Sequence, residues 1–87
     1  MRAQIWKYQI PITGRFEIEM PGAAQIISIQ MQNEVPYVWA IVGPKITPSN
    51  RRFKLVGTGH EFDFLPTDKF IGTFQDGPYV WHLFEIL

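Results

Sequence analysis

Apolar and polar residues alternate along most of the 87-residue chain, and a period of two predicts β-strands rather than helices. In the stretch 15–20, charged residues separate Phe16, Ile18 and Met20, which therefore share one face of an extended strand. The stretch 37–42 (YVWAIV) is apolar at every position, which predicts a central strand covered on both faces. The pattern predicts seven strands, at residues 5–10, 15–20, 27–31, 37–42, 52–56, 70–74 and 79–87.

Turn-forming residues separate the predicted strands and indicate the fold class. Asn33-Glu34 and Asp76-Gly77-Pro78 predict two hairpins, and residues 44–50 predict a loop. No stretch keeps the apolar spacing of a helix over three turns, so we expect at most a single helical turn, near residues 59–64. Seven short strands at intervals of about 8–12 residues predict one all-β domain that spans the whole chain, either an antiparallel sandwich or a small barrel.

The size of the chain limits how it becomes stable. A domain this small buries only about 60–65% of its unfolded surface, so its core is small and its free energy of unfolding is low. The chain has no cysteine, which excludes disulfides and thiolate metal sites. Its aromatic content of 15% suits both dense packing and interfaces. We therefore expect tight aromatic packing, and we predict a homo-oligomer.

Charge and hydropathy narrow the classes of partner. Eight Lys and Arg residues balance eight Asp and Glu residues, and this balance argues against polynucleotide binding. No apolar run reaches the roughly 20 residues that span a bilayer, so we expect no membrane partner. The first residues lead into a strand pattern instead of the apolar stretch of a secretory signal. We expect a cytoplasmic protein.

The segment Gly57-Thr58-Gly59-His60 follows a predicted strand and has two interpretations. Glycines on both sides of Thr58 permit positive φ angles and leave backbone N–H groups unshielded, which suits an anion. No helix pattern follows, so the segment is neither a dinucleotide-binding fingerprint nor a P-loop. The simpler interpretation is a bend that ends a strand. The second is a binding element.

A group of basic residues precedes this glycine segment. Residues 44–54 include Arg51, Arg52 and Lys54 and contain no acidic residue. A guanidinium there would offer a forked pair of donors to a phosphate or carboxylate, next to the glycines. The alternative is ordinary surface pairing with the acidic residues of the stretch 61–68, which contributes little energy. The closeness of the two features favours a small anionic ligand.

The two histidines do not define a metal or catalytic site by their spacing. A catalytic zinc needs three protein ligands, and neither His60 nor His82 has a carboxylate at a convincing spacing. His82 alternates with Val80 and Phe84, which is typical of a hydrogen-bonded histidine at the margin of a core. A proton relay would require that the two histidines meet in space. No serine lies in a nucleophile setting, so we predict no catalytic residue, no metal and no cofactor.

Two tryptophans also have two interpretations. Trp39 and Trp81 each lie in a predicted strand with a second aromatic residue nearby, Tyr37 and Tyr79 respectively. Filling the core is the usual role of such residues in a small domain. A ring exposed in a cleft would instead stack on a nucleobase. A single nucleotide would need less positive charge than a polynucleotide, so the charge balance does not exclude it.

Six segments carry a family likeness: Ile5-Trp6-Lys7-Tyr8, Met20-Pro21-Gly22-Ala23, Val38-Trp39-Ala40, Gly57-Thr58-Gly59-His60, Phe70-Ile71-Gly72-Thr73 and Val80-Trp81-His82-Leu83-Phe84-Glu85. Together they resemble a family of small proteins encoded by bacteriophages and prophages. The resemblance implies a phage accessory protein in the cytoplasm of a bacterial host. Small phage proteins without catalytic groups often act by binding, and some oligomerise to sequester nucleotide signals of host immunity. By that analogy, ligand pockets would lie at subunit boundaries.

These observations predict a non-enzymatic phage protein that forms a homo-oligomer and binds a small anionic, nucleotide-like ligand, acting as a counter-defence signal sponge. In this hypothesis the basic side chains contact phosphate, the glycine segment supplies backbone donors, and His60 or a tryptophan holds the base or sugar. The predicted ligand-binding residues are Arg51, Arg52, Lys54, Gly57, Thr58, Gly59, His60, Trp39, Trp81 and His82.

Two rival hypotheses use other features of the chain. A protein-interaction module, which inhibits a host protein or serves as a minor structural component, would need an exposed apolar patch or an open strand edge, for example at residues 79–87. A small hydrolase or isomerase would need His60 and His82 to act together.

Overall fold

The computed structural model of the protein describes residues 1–87 and contains seven β-strands and no helix. This confirms the all-β prediction. No helix long and apolar enough to cross a membrane is present. The strands are β1 (Gln4–Gln9), β2 (Arg15–Pro21), β3 (Gln25–Gln32), β4 (Val35–Val42), β5 (Pro48–Gly57), β6 (Asp68–Asp76) and β7 (Tyr79–Ile86).

The strands form two antiparallel sheets that pack as a sandwich, and neither sheet closes into a barrel. The order is β1-β4-β3 in the three-stranded sheet and β2-β5-β7-β6 in the four-stranded sheet. Alternate side chains of each strand point between the sheets and form one core. Its eleven buried residues are Ile10, Met20, Ala24, Ile29, Val38, Ala40, Val42, Phe53, Leu55, Phe74 and Leu83.

Both predicted hairpins are confirmed, with the backbone geometry that two-residue turns require. Between β3 and β4, Asn33 and Glu34 have φ angles of 53° and 65°, as a type I′ turn needs at both central positions. Between β6 and β7, Gly77 has a φ angle of 58° and precedes Pro78, the arrangement of a type II′ turn. These turns set the register of the two strand pairs.

The two sheets approach each other where β3 faces β6. Each of these strands contains a bulge, between Ile26 and Ser28 in β3 and between Phe70 and Gly72 in β6. A Cβ atom built on Gly72 would lie only 2.6 Å from the Cγ2 atom of Ile29. The missing side chain at position 72 therefore allows this close approach of the sheets.

The start of β5 differs from the sequence prediction. β5 begins at Pro48, inside the predicted loop 44–50, because residues 48–50 pair with the end of β2. The paired strands end with Pro21 opposite Pro48, and both prolines are tolerated at the end of a ladder, where one hydrogen bond fewer is needed. No helical turn forms near residues 59–64: Gly59 and His60 belong to a tight turn, and residues 61–64 continue as an irregular segment.

β4 is the central strand of its sheet, as predicted, but the prediction that both of its faces are covered is wrong. Its inward residues are buried, whereas Tyr37, Trp39 and Ile41 are half-buried on the outer face. The rings of Tyr37 and Trp39 pack on each other with centroids 5.8 Å apart, and the ammonium of Lys7 lies 4.5 Å from the Tyr37 ring centroid. Contacts along the outer face thus replace a covering layer.

Candidate functional site

Arg51 points between the sheets, and its guanidinium is occupied by the protein itself. Nε and Nη2 donate to the two carboxylate oxygens of Glu85 at 2.6 and 2.8 Å, and Nη1 donates to the carbonyl oxygen of Ala24 at 2.5 Å. Only 14% of the Arg51 side chain and 5% of the Glu85 side chain are exposed. Nearby, burial raises the pKa of Tyr8 above its ordinary value, and the charge of Arg51 opposes this. Arg51 therefore serves the core and has no free fork for a phosphate.

Lys54 points to the opposite, outer face of the four-stranded sheet and is also paired. Its ammonium lies 2.5 Å from the Oδ2 atom of Asp68 and donates to the carbonyl oxygen of Asp63 at 2.7 Å. The side chains of Lys54 and Asp68 are 5% and 0% exposed. The ammonium is thus held beneath the segment that connects β5 to β6 and does not face solvent.

The predicted phosphate-binding group is therefore not assembled. Arg51 lies on the inner face of β5, while Arg52 and Lys54 lie on the outer face, because side chains alternate along a strand. Arg52 is exposed, but it is five residues from Gly57, a separation of about 16 Å along an extended strand. No basic side chain of this group reaches the glycine segment.

The glycine segment itself is a tight turn, which confirms its interpretation as a bend. The N–H of His60 donates to the carbonyl oxygen of Gly57 at 3.1 Å, and Gly59 has a φ angle of 88°, as at the third position of a type II turn. A Cβ on Gly57 would lie 2.8 Å from Nδ1 of His60 and 3.3 Å from Cζ3 of Trp81. Glycine at position 57 lets His60 fold back over the end of β5.

A groove opens beside this turn and brings part of the predicted site together. β2 begins opposite Lys54, so no strand lies beside residues 55–57 on that side of β5. The resulting cavity of about 360 Å³ is bordered by Gly57, His60 and Trp81. Its other lining residues are Ile12, Thr13, Gly14, Leu55, Val56, Glu61 and Phe62.

Arg15 borders an adjoining cavity of about 300 Å³ that shares four of these lining residues. It is exposed and, unlike Lys54 in the lining of the same cavity, it has no ion-pair partner. Sequence reasoning missed Arg15, because its place opposite Lys54 depends on the pairing register of β2 and β5. The acidic residues Glu61 and Asp63 also border the two cavities.

The two histidines do not meet. The ring of His82 lies between two threonine hydroxyls on the outer face, with Nε2 2.7 Å from Oγ1 of Thr58 and Nδ1 2.8 Å from Oγ1 of Thr73. His60 lies against Gly57 and Trp81, whose side chain points to the inner face. His82 is thus hydrogen-bonded, as its alternation predicts, but it lies on the outer face of the sheet and not at the margin of the core. No group of three or more His, Asp or Glu side chains is placed to hold a metal ion.

The two tryptophans of the predicted site belong to different sheets. Trp39 lies on the outer face of the three-stranded sheet, away from the glycine turn. Trp81 packs against the core and also borders the groove, and its Nε1 atom is buried without a hydrogen-bond partner. Only Trp81 is in a position to contact a ligand beside Gly57.

A cluster of exposed aromatic residues lies on the outer face of the four-stranded sheet. Phe84 is its centre: the ring centroids of Phe62, Phe64 and Phe70 lie 5.5, 6.1 and 5.4 Å from that of Phe84. Phe64 is 61% exposed, Phe70 56% and Phe62 42%, and the neighbouring Leu65 is 50% exposed. We call these five residues the aromatic face.

Polar contacts beneath the aromatic face hold its loop residues in place. The Oδ2 atom of Asp68 accepts from the N–H of Leu65 at 2.9 Å, and the N–H of Asp68 donates to the carbonyl oxygen of Leu65 at 2.9 Å. The ammonium of Lys54 binds Asp68 and the backbone of Asp63, and lies 5.8 Å from the ring centroid of Phe62. These bonds fix the segment that carries Phe62 and Phe64, so the exposed rings are pre-positioned.

The stability that the Lys54–Asp68 ion pair contributes to the fold should depend on pH. Hydrogen bonds from Lys54 and then from the N–H of Leu65, with the charges of Lys54 and Arg15, lower the pKa of Asp68 below its ordinary value, although burial opposes this. A lowered folded-state pKa stabilises the fold above the unfolded-state pKa, and this stabilisation is lost as the pH falls through the folded-state value. We expect urea denaturation to show Asp68→Asn less stable than wild type near neutrality, with the difference shrinking below about pH 4.

The exposed Glu19 provides the control for that measurement, since Glu19→Gln removes a carboxylate that lies opposite Asn50 and not opposite a base. The free energy of unfolding of this variant should match that of wild type both near neutrality and below about pH 4. A stability difference for Asp68→Asn that stays constant from neutral to acid pH would show that the Asp68 carboxylate is not the titrating group.

The interaction-module hypothesis places an apolar patch or an open strand edge at residues 79–87. β7 contributes Phe84 to such a patch, but it lies between β5 and β6 and has no open edge. The sequence patterns did not single out Phe62, Phe64, Leu65 or Phe70. The only local signal is the alternation Glu61-Phe62-Asp63-Phe64, which continues the period of two beyond the end of β5. That alternation shows that the two rings share a side, but not that a turn folds them back over Phe84. Their exposure depends on tertiary structure.

A family model described as Domain of unknown function (DUF7352) matches residues 1–86. No curated protein and no solved structure matches the chain.

Proposed function

The chain belongs to the DUF7352 family, and we propose that it is a protein-interaction module that binds a partner protein on the aromatic face and performs no catalysis. The observation that carries this proposal is the cluster of three exposed phenylalanine rings around Phe84. The separation of His60 from His82, and the hydrogen bonds that occupy both ring nitrogens of His82, support a binding role over acid–base chemistry.

The size of the aromatic face fits a docking surface. Taking about 200 Å² for a whole phenylalanine side chain, Phe62, Phe64 and Phe70 leave about 300 Å² of aromatic surface in contact with water at their observed exposures. The largest apolar patch of a monomeric protein is about 300–600 Å² and is often functional. With Leu65 added, this face can supply most of the apolar centre of an interface that buries about 800 Å² on each side.

The construction of the aromatic face also favours binding. Rings that are fixed before association lose little conformational entropy on binding, so more of the contact energy appears as affinity. Aromatic residues at the centre of a patch are typical of the few side chains that dominate binding energy. The exposed Glu61 and Asp63 flank Phe62, and they favour a partner whose apolar segment has a basic residue beside it.

Paired substitutions on the aromatic face test the proposal. Phe64→Ser combined with Phe70→Thr removes the two most exposed rings, and threonine suits the β-strand at position 70. Ile46→Ser is the control, since Ile46 is 58% exposed but lies outside the aromatic face. Immobilised wild type and Ile46→Ser should retain the same protein from a lysate of the cells that make this chain, and the double variant should lose it. Equal retention by all three folded proteins, or by none, would refute the proposal.

A second candidate function is the binding of a small nucleotide-like ligand in the groove. One observation favours it: Gly57, His60 and Trp81 border one cavity, and Arg15 borders the cavity that continues it. An aromatic ring of the ligand would rest on Trp81 or His60, and an anionic group would meet Arg15. The nearby carboxylates of Glu61 and Asp63 weaken this candidate, because they repel anions.

Calorimetric titration with cyclic dinucleotides and ADP-ribose tests the second candidate. Arg15→Ala should weaken binding about tenfold, the effect of losing one charged hydrogen bond. Lys45→Ala is the control, since Lys45 lies beside a different cavity. The absence of heat with every compound would remove this candidate. The bacteriophage setting and the counter-defence role, which rest on the sequence resemblance, stay predictions under either candidate.

A further inference from the structure

The free edge of β1 is the least protected strand edge of the fold. Unpaired strand edges invite pairing with other chains, and proteins protect them with charges, prolines or close cover. The edge of β2 carries three charged residues and ends at Pro21. β3 and β6 each contain a β-bulge, which interrupts regular pairing and is a further device that protects an edge.

β1 has none of these devices over most of its length. Its sequence, QIWKYQ, has one charge, Lys7, and it is hydrogen-bonded to β4 on one side only. Ile5 is 61% exposed and Trp6 is 38% exposed. An accessible, nearly uncharged strand with two exposed apolar side chains is suited to receive another strand.

We propose that β1 pairs with β1 of a second copy of this chain, antiparallel across a two-fold axis, so that two three-stranded sheets join into one of six strands. This surface is distinct from the aromatic face and the proposal is independent of the function proposed above. The sequence of β1 favours a second copy as the occupant, because β1 can pair with itself in a register that places no like charges opposite each other.

Side chains that lie opposite each other in an antiparallel pair share one face of the sheet. A two-fold axis through Trp6 places Trp6 opposite the partner's Trp6 and Ile5 opposite the partner's Lys7. An axis through Lys7 would instead place two ammonium groups opposite each other, which is destabilising. Of these two registers, the one centred on Trp6 is therefore favoured, and it places an aromatic pair at the axis.

The proposed two-fold axis also determines where the two aromatic faces of the dimer point. The axis is perpendicular to the joined sheet, so both four-stranded sheets lie on the same side of it. A dimer would present two aromatic faces toward that side. A partner with two matching segments would then bind more tightly through both faces than through one.

Substitution of Ile5 by lysine or by glutamate tests this register directly. Both variants lose the same isoleucine and differ only in the charge that they introduce. Ile5→Lys places an ammonium opposite the partner's Lys7 twice in each dimer, whereas Ile5→Glu places a carboxylate there twice. With sedimentation equilibrium, the dimer dissociation constant should be at least about tenfold higher for Ile5→Lys than for Ile5→Glu. Thermal unfolding of both variants shows whether each subunit remains folded.

Three results would overturn the proposal. They are a wild type that stays monomeric up to its solubility limit, a dimer with the same dissociation constant in both variants, and a dimer that the aromatic-face double variant abolishes while the position 5 variants leave it intact.

As a second measurement, Trp6→Cys in this otherwise cysteine-free chain should form an intersubunit disulfide on mild oxidation, since opposed residues lie about 4.5–5.5 Å apart. Lys7→Cys should form it far more slowly, because that register separates the two cysteines diagonally.

Discussion

Replacement of Glu85 by glutamine is expected to lower the free energy of unfolding by about 3 kcal/mol. The carboxylate of Glu85 accepts two hydrogen bonds from the guanidinium of Arg51, and both side chains are largely removed from water. Without the carboxylate, the Arg51 charge remains buried with a neutral neighbour. Leaving one charge of a buried pair uncompensated costs far more than the pair itself contributes. Urea denaturation monitored by tryptophan fluorescence measures the change.

The double variant Arg51→Met/Glu85→Leu separates the pair from its individual charges. Apolar residues of similar volume replace both charges, so no charge is left buried, and the double variant should lie within about 1 kcal/mol of wild type. A double variant as unstable as Glu85→Gln would contradict this account. It would indicate that the bond from Arg51 to the carbonyl oxygen of Ala24, which ties β5 to the connection between β2 and β3, matters more than the charge.

Replacement of Gly72 by alanine should destabilise the protein by about 2 kcal/mol, the usual cost of overpacking a filled interior. The new Cβ would lie 2.6 Å from Cγ2 of Ile29, well inside van der Waals contact. Either the sheets must separate where β3 faces β6, or Ile29 must leave its position in the core. Gly14→Ala is the control, since no heavy atom lies within 4 Å of a Cβ at that position.

The partner of the clash provides the second test of this prediction. Ile29→Ala alone opens a cavity and costs about 2–5 kcal/mol. In the presence of Gly72→Ala the new methyl group occupies part of that space, so the double variant should be less destabilised than the sum of the two single variants. Strict additivity would show that Gly72 and Ile29 do not contact each other.

The strands of this fold could be predicted because their determinants are local. The alternation of Phe16, Ile18 and Met20 with charges, and the turn residues Asn33 and Gly77, each act within a few positions of the chain. The first and last residues of a strand were harder to predict where a strand distant in the sequence decides them. β5 extends to Pro48 because β2 pairs with it there, and no pattern within residues 44–50 reveals that.

The predicted basic cluster failed for the same physical reason. Arg51 and Lys54 are three positions apart, which in a strand places them on opposite faces. Their partners, Glu85 and Asp68, are far along the chain, and strand pairing brings them close. Residue types alone gave no means of distinguishing a free guanidinium from a buried one. The glycine turn, by contrast, was predicted correctly as a bend because glycine has a local conformational role.

The aromatic face is the part of the site that sequence patterns could not predict. Phe70 and Phe84 alternate in strands like any core residue, yet they lie on the face turned away from the other sheet. Which face of a strand becomes the interior is decided by how the two sheets pack.

Photo-crosslinking from position 70, in the cells that naturally make the protein, tests the central claim most directly. A photoreactive phenylalanine analogue at position 70 keeps the ring of the aromatic face, and the same analogue at the exposed Gln30, on the outer face of the other sheet, is the control. Binding on the aromatic face predicts a discrete adduct with one other protein from position 70 and none from position 30. The same adducts from both positions, or no protein adduct from position 70, would contradict it.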